Sequence, residues 1–137
     1  MSVPEGKILL SIVTPERKVF EAPVDELVVP GSEGYLGVLP GHAPLLTALQ
    51  TGELSFREGS RWHWCFISKG FVEVLSDKVS VLADVGERAE EVDVERARSA
   101  RERAEGRLRN PTPDVDWDRA RAALQRAITR IQVAGRK

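Results

Sequence analysis

Arginine is the residue type in this sequence whose spacing points most directly to chemistry. Six arginines repeat the spacing i, i+7 and i+11 in two series: Arg96, Arg103 and Arg107, then Arg119, Arg126 and Arg130. At about 100° per residue, each series lies on one face of a helix. Two such helices packed side by side would bring guanidinium groups toward one anion, in the bidentate geometry that suits phosphate.

Two other roles for these arginines are open at this level. They could form ordinary surface ion pairs, each of little energetic value, with nearby carboxylates at Glu95, Glu102, Glu105 and Asp118. They could instead meet an acidic surface of a partner protein. The spacing therefore predicts an anion site, an ion-paired surface or a protein contact.

The histidines and the cysteine do not indicate catalysis or metal binding. His42 has no cysteine or acidic residue at zinc-like spacing, and His63 lies within a predicted strand. The single cysteine, Cys65, cannot form an internal disulfide. Neither a P-loop nor a G-x-S-x-G motif is present. We therefore predict no catalytic residue, no metal ligand and no required cofactor, and a structural or interface role for His42.

Charge divides the chain into two parts. The whole sequence has a net charge of -1, but residues 1–87 carry 7 Lys and Arg against 12 Asp and Glu, whereas residues 88–137 carry 13 against 9. Such an asymmetry suggests two modules with different partners. Trp62 and Trp64 lie in the acidic part, and Trp117 is expected in the seam of a helical pair. Because a nucleic-acid platform needs a basic field around its aromatic residues, we predict no nucleic-acid partner.

Residues 1–87 have the pattern of a β-sandwich or barrel. Short apolar segments recur every several residues, and turn formers such as Pro30-Gly31-Ser32, Lys69-Gly70 and Ser76-Asp77 separate them. The Gly- and Pro-rich stretch from Gly31 to Pro44 predicts a loop that can approach another surface, with Glu33 and Tyr35 at its tip. A tight turn between strands is the alternative reading of the same glycines.

Residues 88–137 have the pattern of two helices. Asp93–Arg109 and Asp116–Ala134 are rich in Ala, Arg and Glu, and Asn110-Pro111-Thr112-Pro113-Asp114 interrupts them. Asp93 and either Asp114 or Asp116 are suitable N-caps. The predicted apolar stripes are Ala97, Ala100, Ala104 and Leu108 on the first helix, and Trp117, Ala120, Leu124, Ala127, Ile128 and Ile131 on the second.

The predicted hairpin should be held weakly. Burial of apolar area contributes about 25 cal/mol per Å², so a stripe made mainly of alanine contributes little. We therefore expect a helical hairpin that can leave its resting place.

Membrane insertion and secretion are not indicated. The longest apolar runs contain only a few residues, whereas a membrane span needs about 20. The segment Met1–Gly6 lacks the basic and apolar regions of a signal peptide. With a single cysteine, these features favour a cytoplasmic location.

Two segments resemble a known family. Residues 31–47 closely resemble the segment G-S-E-G-x-L-G-x-x-P-G-H-A-P-L-L-T of epsilon subunits of bacterial F-type ATP synthases. Ser68–Val74 resembles that family's S-G-G-F-x-E-V hairpin, with Lys69 in place of the first glycine. The resemblance extends in order over essentially the whole chain.

This resemblance implies an α+β fold: an N-terminal β-sandwich of about ten short strands at 1–87, followed by an antiparallel two-helix hairpin at 88–137. It implies a non-catalytic rotor subunit of the central stalk of a proton-translocating ATP synthase. The sandwich would contact the gamma subunit and the c-ring, with Glu33, Tyr35 and His42 as candidate contacts. The extended hairpin would meet the alpha and beta catalytic subunits and inhibit ATP hydrolysis. The protein would lie on the cytoplasmic face of the inner membrane, peripheral through the complex.

The resemblance also implies that ATP can act as a regulatory ligand. Some members bind it through an I/L-D-x-x-R-A motif, which Val92–Ala97 matches with Val in the first position. The implied residues are Glu87, Val92 and Asp93 on the base and ribose side, and Arg96, Arg126 and Arg130 at the phosphates. A free-standing nucleotide-sensing β-sandwich protein, with the hairpin as its switch, is the alternative function.

Overall fold

The computed structural model describes residues 3–137. Met1 and Ser2, which begin the segment considered for a targeting signal, lie outside the described residues. Eight strands are followed by two helices, with a short 3-10 turn at Ala89–Glu91 between them. The strands are β1 (Ile8–Val13), β2 (Lys18–Val24), β3 (Glu26–Gly31), β4 (Gly34–Val38), β5 (Leu45–Leu49), β6 (Gly52–Glu58), β7 (Arg61–Val74) and β8 (Lys78–Arg88), and the helices are α1 (Val94–Arg109) and α2 (Trp117–Ala134).

The predicted fold class, a β-sandwich followed by two helices, is confirmed. Residues 3–137 contain eight strands, fewer than the expected ten or so, and one reason is that Lys69-Gly70 does not end a strand. Instead β7 continues through it, pairing with β6 before this point and with β5 after it. Lys69 and Gly70 have φ angles of 59° and 126°, and a Cβ at Gly70 would lie 1.9 Å from the Leu82 carbonyl oxygen. Only glycine fits there, and the bend lets one strand serve both layers.

The core of the sandwich lies between the two layers. Along β1, Ile8, Leu10 and Ile12 are buried and alternate with half-buried residues, as a strand with one covered face requires. Phe56 of β6 is fully buried, with its ring centroid 4.4 Å from that of Phe20. Large apolar side chains from strands distant in sequence therefore form one continuous core.

The segment from Gly31 to Pro44 is two turns around a strand. Gly31 and Gly34 pair across the β3–β4 hairpin, and β4 then runs to Val38. Gly34 and Gly41 have positive φ angles of 129° and 84°. The turn alternative thus describes this segment better than a single loop.

Both helices begin at the predicted caps. The Asp93 carboxylate accepts a hydrogen bond from the Arg96 backbone N–H at 3.1 Å, and the Asp116 carboxylate accepts one from Arg119 at the same distance. Each cap satisfies one of the N–H groups that a helix start leaves unpaired. Neither α1 nor α2 is long and apolar enough to cross a membrane.

The helices pack against each other through small residues. The buried positions that form this alanine seam are Ala97, Ala104, Ala120 and Ala127. The prediction that Trp117 belongs to the seam is wrong: its side chain is 43% exposed, and Arg121 lies over its ring. Alanine lets the helix axes approach closely, and Ile128, which was also predicted in the seam, is 39% exposed.

A second apolar cluster fixes the hairpin to the sandwich. Cys65 and Ile67 of β7 face the sandwich core, so the alternate residues Trp64 and Phe66 face outward. The cluster that covers them contains buried Phe66, Ala89, Val92, Val133 and Ala134. The end of α2 therefore rests on β7.

Candidate functional site

A cavity of about 470 Å³ lies between the hairpin and the end of β8. Its size falls within the usual range of about 300–1,000 Å³ for small-molecule sites. We call it the arginine cavity, after the three arginines among its lining residues: Glu87, Glu91, Asp93, Arg96, Ala97, Ala100, Arg103 and Arg130.

Three elements bring these residues together. Glu87 lies at the C-terminal end of β8. Asp93 is the N-cap of α1, and its hydrogen bond with the backbone of Arg96 fixes where the helix begins. Arg96 and Arg103, two turns apart on α1, therefore face the same cavity. Arg130 reaches it from α2 because the chain reverses between the two helices.

Arg130 is the best-fixed cation of the cavity. Its Nε and Nη2 atoms donate to the two carboxylate oxygens of Glu87 at 3.0 and 3.2 Å. Its guanidinium also lies over the Phe66 ring, 4.5 Å from the centroid. A bidentate pair and a cation–π contact together hold α2 against β7 and β8.

Arg96 and Arg103 are in a different electrostatic position. Glu87 is engaged by Arg130, and Glu91 by Arg17, whose hydrogen bond lowers the pKa of the Glu91 carboxyl. Within residues 3–137, no ion pair involves Arg96 or Arg103. Two guanidinium groups thus remain available to an anion in the cavity.

The structure brings four of the six predicted nucleotide residues into one cavity: Glu87, Asp93, Arg96 and Arg130. Val92 is buried beneath the hairpin, where no ligand could reach its side chain without displacing α2. Arg126 is one turn from Arg130, but among residues 3–137 it is not part of the cavity lining.

Four lining residues were not among the predicted set: the charged Glu91 and Arg103, and the small Ala97 and Ala100. Arg103 belongs to the arginine series of the first helix, so its helical spacing could have predicted that it lines the same cavity as Arg96. Glu91 has one local signal, since its carboxylate accepts a hydrogen bond from the backbone N–H of Arg88 at 2.8 Å, but its pair with Arg17, 74 positions away, has none.

A more open cavity of about 660 Å³ continues from Arg103 toward the turn between the helices. Arg107 and Arg119 line it, together with Asp114 and Asp116. Five of the six arginines in the two series therefore line these two adjoining cavities, and Arg126 lines neither.

An apolar patch occupies the outside of the sandwich, away from the hairpin. Phe71 and Leu82 are paired across β7 and β8, and Leu46 lies on the neighbouring strand β5. Their exposed fractions are 58%, 57% and 68%. We call these three residues the outer apolar face. Contiguous exposed apolar area of this kind marks interaction surfaces.

The three candidate partner contacts lie in separate places. Glu33 is exposed in the β3–β4 turn, and Tyr35 points toward Trp62 and Trp64 at the start of β7. His42 lies in the β4–β5 turn, where its Nδ1 is 2.6 Å from the Ala43 carbonyl oxygen. His63 stacks on Phe56 inside the sandwich instead.

Acidic, histidine and cysteine side chains do not gather into a metal centre in the part of the chain that the structure describes: no group of three or more is placed to hold an ion. Cys65 is buried among apolar residues, and this burial raises the pKa of its thiol to about 12. Such a thiol is poorly nucleophilic.

Comparison with known families accounts for both modules. The family model of the β-sandwich domain of the ATP synthase delta/epsilon chain matches residues 7–89, and the model of its long α-helix domain matches residues 90–135. The chain belongs to the ATP synthase delta/epsilon family.

Individual relatives match over nearly their full length. The ATP synthase epsilon chain of Pelotomaculum thermopropionicum is 54% identical over 127 residues, which cover 93% of this chain and 95% of the relative. The ATP synthase epsilon chain 2 of Syntrophotalea carbinolica is 50% identical over 131 residues, 95% of each chain.

Solved structures show the same architecture. A chain in the Euglena gracilis mitochondrial ATP synthase structure, which comprises OSCP, F1 and the c-ring, matches with a TM-score of 0.77 at 26% identity. The match covers 91% of this chain and 79% of that one. A chain from the central stalk and c-ring of the Tetrahymena thermophila enzyme matches with a TM-score of 0.57 at 15% identity over 94% of both, which shows the shared fold.

Proposed function

We propose that this chain is a non-catalytic epsilon subunit of the central stalk of an F-type ATP synthase. The observation that carries the proposal is the match of both modules, in order, to ATP synthase epsilon chains over nearly their whole length. The subunit couples rotation of the c-ring to ATP synthesis and adds no chemistry of its own. It is attached through the complex to the cytoplasmic face of the inner membrane.

The outer apolar face is the docking surface for the gamma subunit in this proposal. Phe71 and Leu82 are large, adjacent and more than half exposed, which is unusual for a small protein that acts alone. The turns that carry Glu33 and His42 then contact the polar loops of the c-ring. Large apolar side chains at the centre of an interface contribute most of its binding energy.

Co-purification tests this surface. Phe71→Glu and Leu82→Glu should each weaken capture of the gamma subunit roughly thirtyfold, because each places a charge in the apolar contact. Arg61→Glu, an exposed charge change at the other end of β7, is the matched control. Normal capture by both Glu variants would overturn this surface, and no capture by the wild-type chain would favour a free-standing protein.

The hairpin is the inhibitory element in this proposal. Its alanine seam buries little apolar area, and the outward side chains Trp117 and Ile128 are available to another protein. When the hairpin unfolds from the sandwich, its arginines meet acidic surfaces of the alpha and beta subunits and block rotation in the hydrolysis direction.

Deletion of residues 94–137 tests inhibition while leaving β8 intact. The truncated subunit, once its assembly into the complex is confirmed, should raise the rate of ATP hydrolysis. The Ala127→Leu variant, which keeps the helices but crowds the seam, should increase inhibition. An assembled truncated subunit with unchanged hydrolysis would remove the inhibitory role and leave the coupling role in place.

ATP is the proposed regulatory ligand of the arginine cavity. The available guanidinium groups of Arg96 and Arg103 suit the phosphates, and Arg130 can join them by releasing Glu87. Since residues of both α1 and α2 line the cavity, a nucleotide bound there stabilises the folded hairpin. ATP would thereby oppose inhibition.

Calorimetric titration with ATP tests this site. Arg96→Ala and Arg103→Ala should each weaken binding about tenfold or more, since each removes a charge-assisted contact. Arg98→Ala is the control, because Arg98 pairs with Glu95 at 2.8 Å elsewhere on α1. Absence of heat from the wild type at millimolar ATP, or an equal loss with Arg98→Ala, would refute the site.

Arg126→Ala separates two versions of the nucleotide site. The family resemblance assigns Arg126 to the phosphates, whereas in this folded hairpin it does not line the cavity. A loss of affinity equal to that of Arg96→Ala means that the helices rearrange around ATP. Unchanged affinity means that the cavity binds ATP as it stands.

A further inference from the structure

A second arginine is held against the sandwich in the same manner as Arg130. Arg136, just after α2, donates from Nε and Nη2 to the two carboxylate oxygens of Glu53, both at 3.2 Å. Its guanidinium lies over the Trp64 ring, 4.2 Å from the centroid. We call the set of Glu53, Trp64 and Arg136 the Arg136 clamp.

The two contacts repeat one design. In each, an arginine near the end of α2 contacts both a carboxylate and an aromatic ring; the ring is Phe66 for Arg130, within the helix, and Trp64 for Arg136, just after it. Trp64 and Phe66 are two residues apart on β7 and face away from the sandwich core. The two arginines therefore contact the same face of the same strand. The carboxylates come from different strands, Glu87 from β8 and Glu53 from β6.

The carboxylate of the Arg136 clamp is held in place by its surroundings. The side chain of Glu53 is only 14% exposed, and its backbone N–H donates to the Tyr35 hydroxyl at 3.1 Å. The hydrogen bond from Arg136 to Glu53 also raises the pKa of Arg136. A carboxylate that has lost most of its water has more to gain from a cation than an exposed one has.

The clamp lies outside the arginine cavity. Neither Glu53 nor Arg136 lines it, whereas Glu87 and Arg130 do. A phosphate that competes for Arg130 therefore weakens the contact between Arg130 and Glu87 and leaves the contact between Arg136 and Glu53 unchanged. The folded hairpin consequently has one ligand-sensitive attachment and one that no anion in the cavity can reach.

We propose that Glu53 and Trp64 form a guanidinium-binding site on the sandwich, occupied by Arg136 in the folded hairpin, which sets how readily the hairpin opens independently of any ligand. The proposal rests on the mobile hairpin of the proposed function. When the hairpin extends, the same site is vacated and its carboxylate is exposed.

Hydrogen exchange of the full chain, measured by mass spectrometry without nucleotide, tests the clamp. Arg136→Ala should speed exchange of α2 amides about tenfold, the sum expected for a cation–π contact and a partly buried ion pair. Glu53→Gln should have a similar effect while keeping the shape of the side chain. Exchange of β1 and β8 should stay at the wild-type rate in both, which shows that the sandwich remains folded.

The controls separate the clamp from a general loss of charge or stability. Lys137→Ala removes the neighbouring exposed cation and should leave α2 exchange unchanged. Combining Arg136→Ala with Glu53→Gln should add little to either change alone, because both remove one interaction. Additive effects, unchanged α2 exchange in either variant, or an equal effect of Lys137→Ala would each overturn the clamp.

Nucleotide binding is measured separately in the same variants. Arg136→Ala should leave the number of ATP molecules bound at saturation unchanged, because the clamp is outside the cavity. If the wild type binds no ATP, the nucleotide proposal fails while the exchange result still decides the clamp. If wild-type α2 exchanges no faster than β1, the mobile hairpin fails, whereas the clamp still predicts that the variants separate the two rates.

Discussion

The sandwich and the hairpin bury side chains of different sizes. Between the layers of the sandwich, Phe56, Leu54 and Ile67 are completely buried. Between the helices, the buried residues are mainly alanines such as Ala104 and Ala127. Full burial of a large apolar side chain contributes about 1.5–3 kcal/mol, several times what one methyl group can.

This difference separates the tasks of the two regions. In the proposed function the sandwich transmits force, and its large buried apolar side chains would keep its shape as it does so. The hairpin is attached at its docked end by the small apolar cluster around Phe66 and Val133 and by the ion pairs of Arg130 and Arg136, which another partner can replace. Elements that move in regulation come from the less stable part of a fold, and the hairpin, which the proposed function makes the moving element, has the smaller buried side chains.

The largest loss of stability is expected when an aromatic side chain is removed from the core of the sandwich. Phe56→Ala should lower the free energy of unfolding by about 3–5 kcal/mol, because it leaves a cavity among well-packed neighbours and removes the contact with Phe20. Urea unfolding followed by tryptophan fluorescence measures it. Trp117→Ala on the hairpin is the comparison and should cost about 0.5 kcal/mol or less. Equal losses would contradict the contrast.

Crowding the alanine seam should affect the hairpin alone. Ala127→Leu forces extra methyl groups between closely spaced helices and should destabilise their packing by about 1–3 kcal/mol. Hydrogen exchange should then accelerate in α1 and α2 but not in β1. Gln125→Leu, at an exposed position of the same helix, is the control. Faster exchange in β1 would mean that the two regions unfold as one unit.

Alkaline pH should weaken the sandwich through Cys65. Burial raises the pKa of its thiol from its ordinary value of 9.0 to about 12, so the unfolded chain loses this proton first as pH rises. The contribution of this thiol is complete below pH 9 and falls by about 1.4 kcal/mol per pH unit between pH 9 and 12. Cys65→Ala should abolish that part of the pH dependence of unfolding.

The same thiol reports which region opens. Because Cys65 faces the sandwich core, alkylation at pH 8 should follow the opening of the sandwich and not that of the hairpin. Its rate should therefore be unchanged by Arg136→Ala. A rate that increases with hairpin opening would place the thiol in the mobile region and weaken the comparison.

The smallest expected effect is the loss of a helix cap. Asp116→Ala removes the acceptor for the Arg119 N–H and should destabilise α2 by about 1 kcal/mol. Helical circular dichroism during mild heating measures the change. Asp118→Ala, an exposed acidic residue in the same first turn, is the control and should have less effect. Equal effects would assign the loss to charge at the helix start and not to the cap.

Local signals predicted the helices well and the strands less well. Asp93, Asp116 and the Pro-rich break act within a few residues, so both helix starts follow from the sequence. Lys69-Gly70 has the composition of a turn, but the pairing partners on both sides keep the strand continuous through it. The strands that pair with β7, namely β5, β6 and β8, decide whether Lys69-Gly70 forms a turn or a bend. The local sequence does not predict these pairing partners.

The candidate site also combines features that the sequence predicted with features that only the structure shows. The helical spacing predicted one arginine face on each helix and a meeting of the two at an anion, and the structure brings Arg96 and Arg103 of α1 and Arg130 of α2 to one cavity. The burial of Val92 and the exclusion of Arg126 from the cavity depend on how the helices turn against β7. The pair of Arg136 with Glu53 spans 83 positions and carries no motif.

The sequence by itself determined the two modules, their order, the helix bounds and the arginine faces, because capping, periodicity and composition act over one or two turns of chain. Only the tertiary structure decided which side chains meet across modules. Arg130 and Arg136 acquire their partners when α2 docks on β7, and docking depends on the summed packing of Phe66, Val133 and their neighbours. Those contacts join residues far apart in the chain, so they exist only once the whole fold has formed.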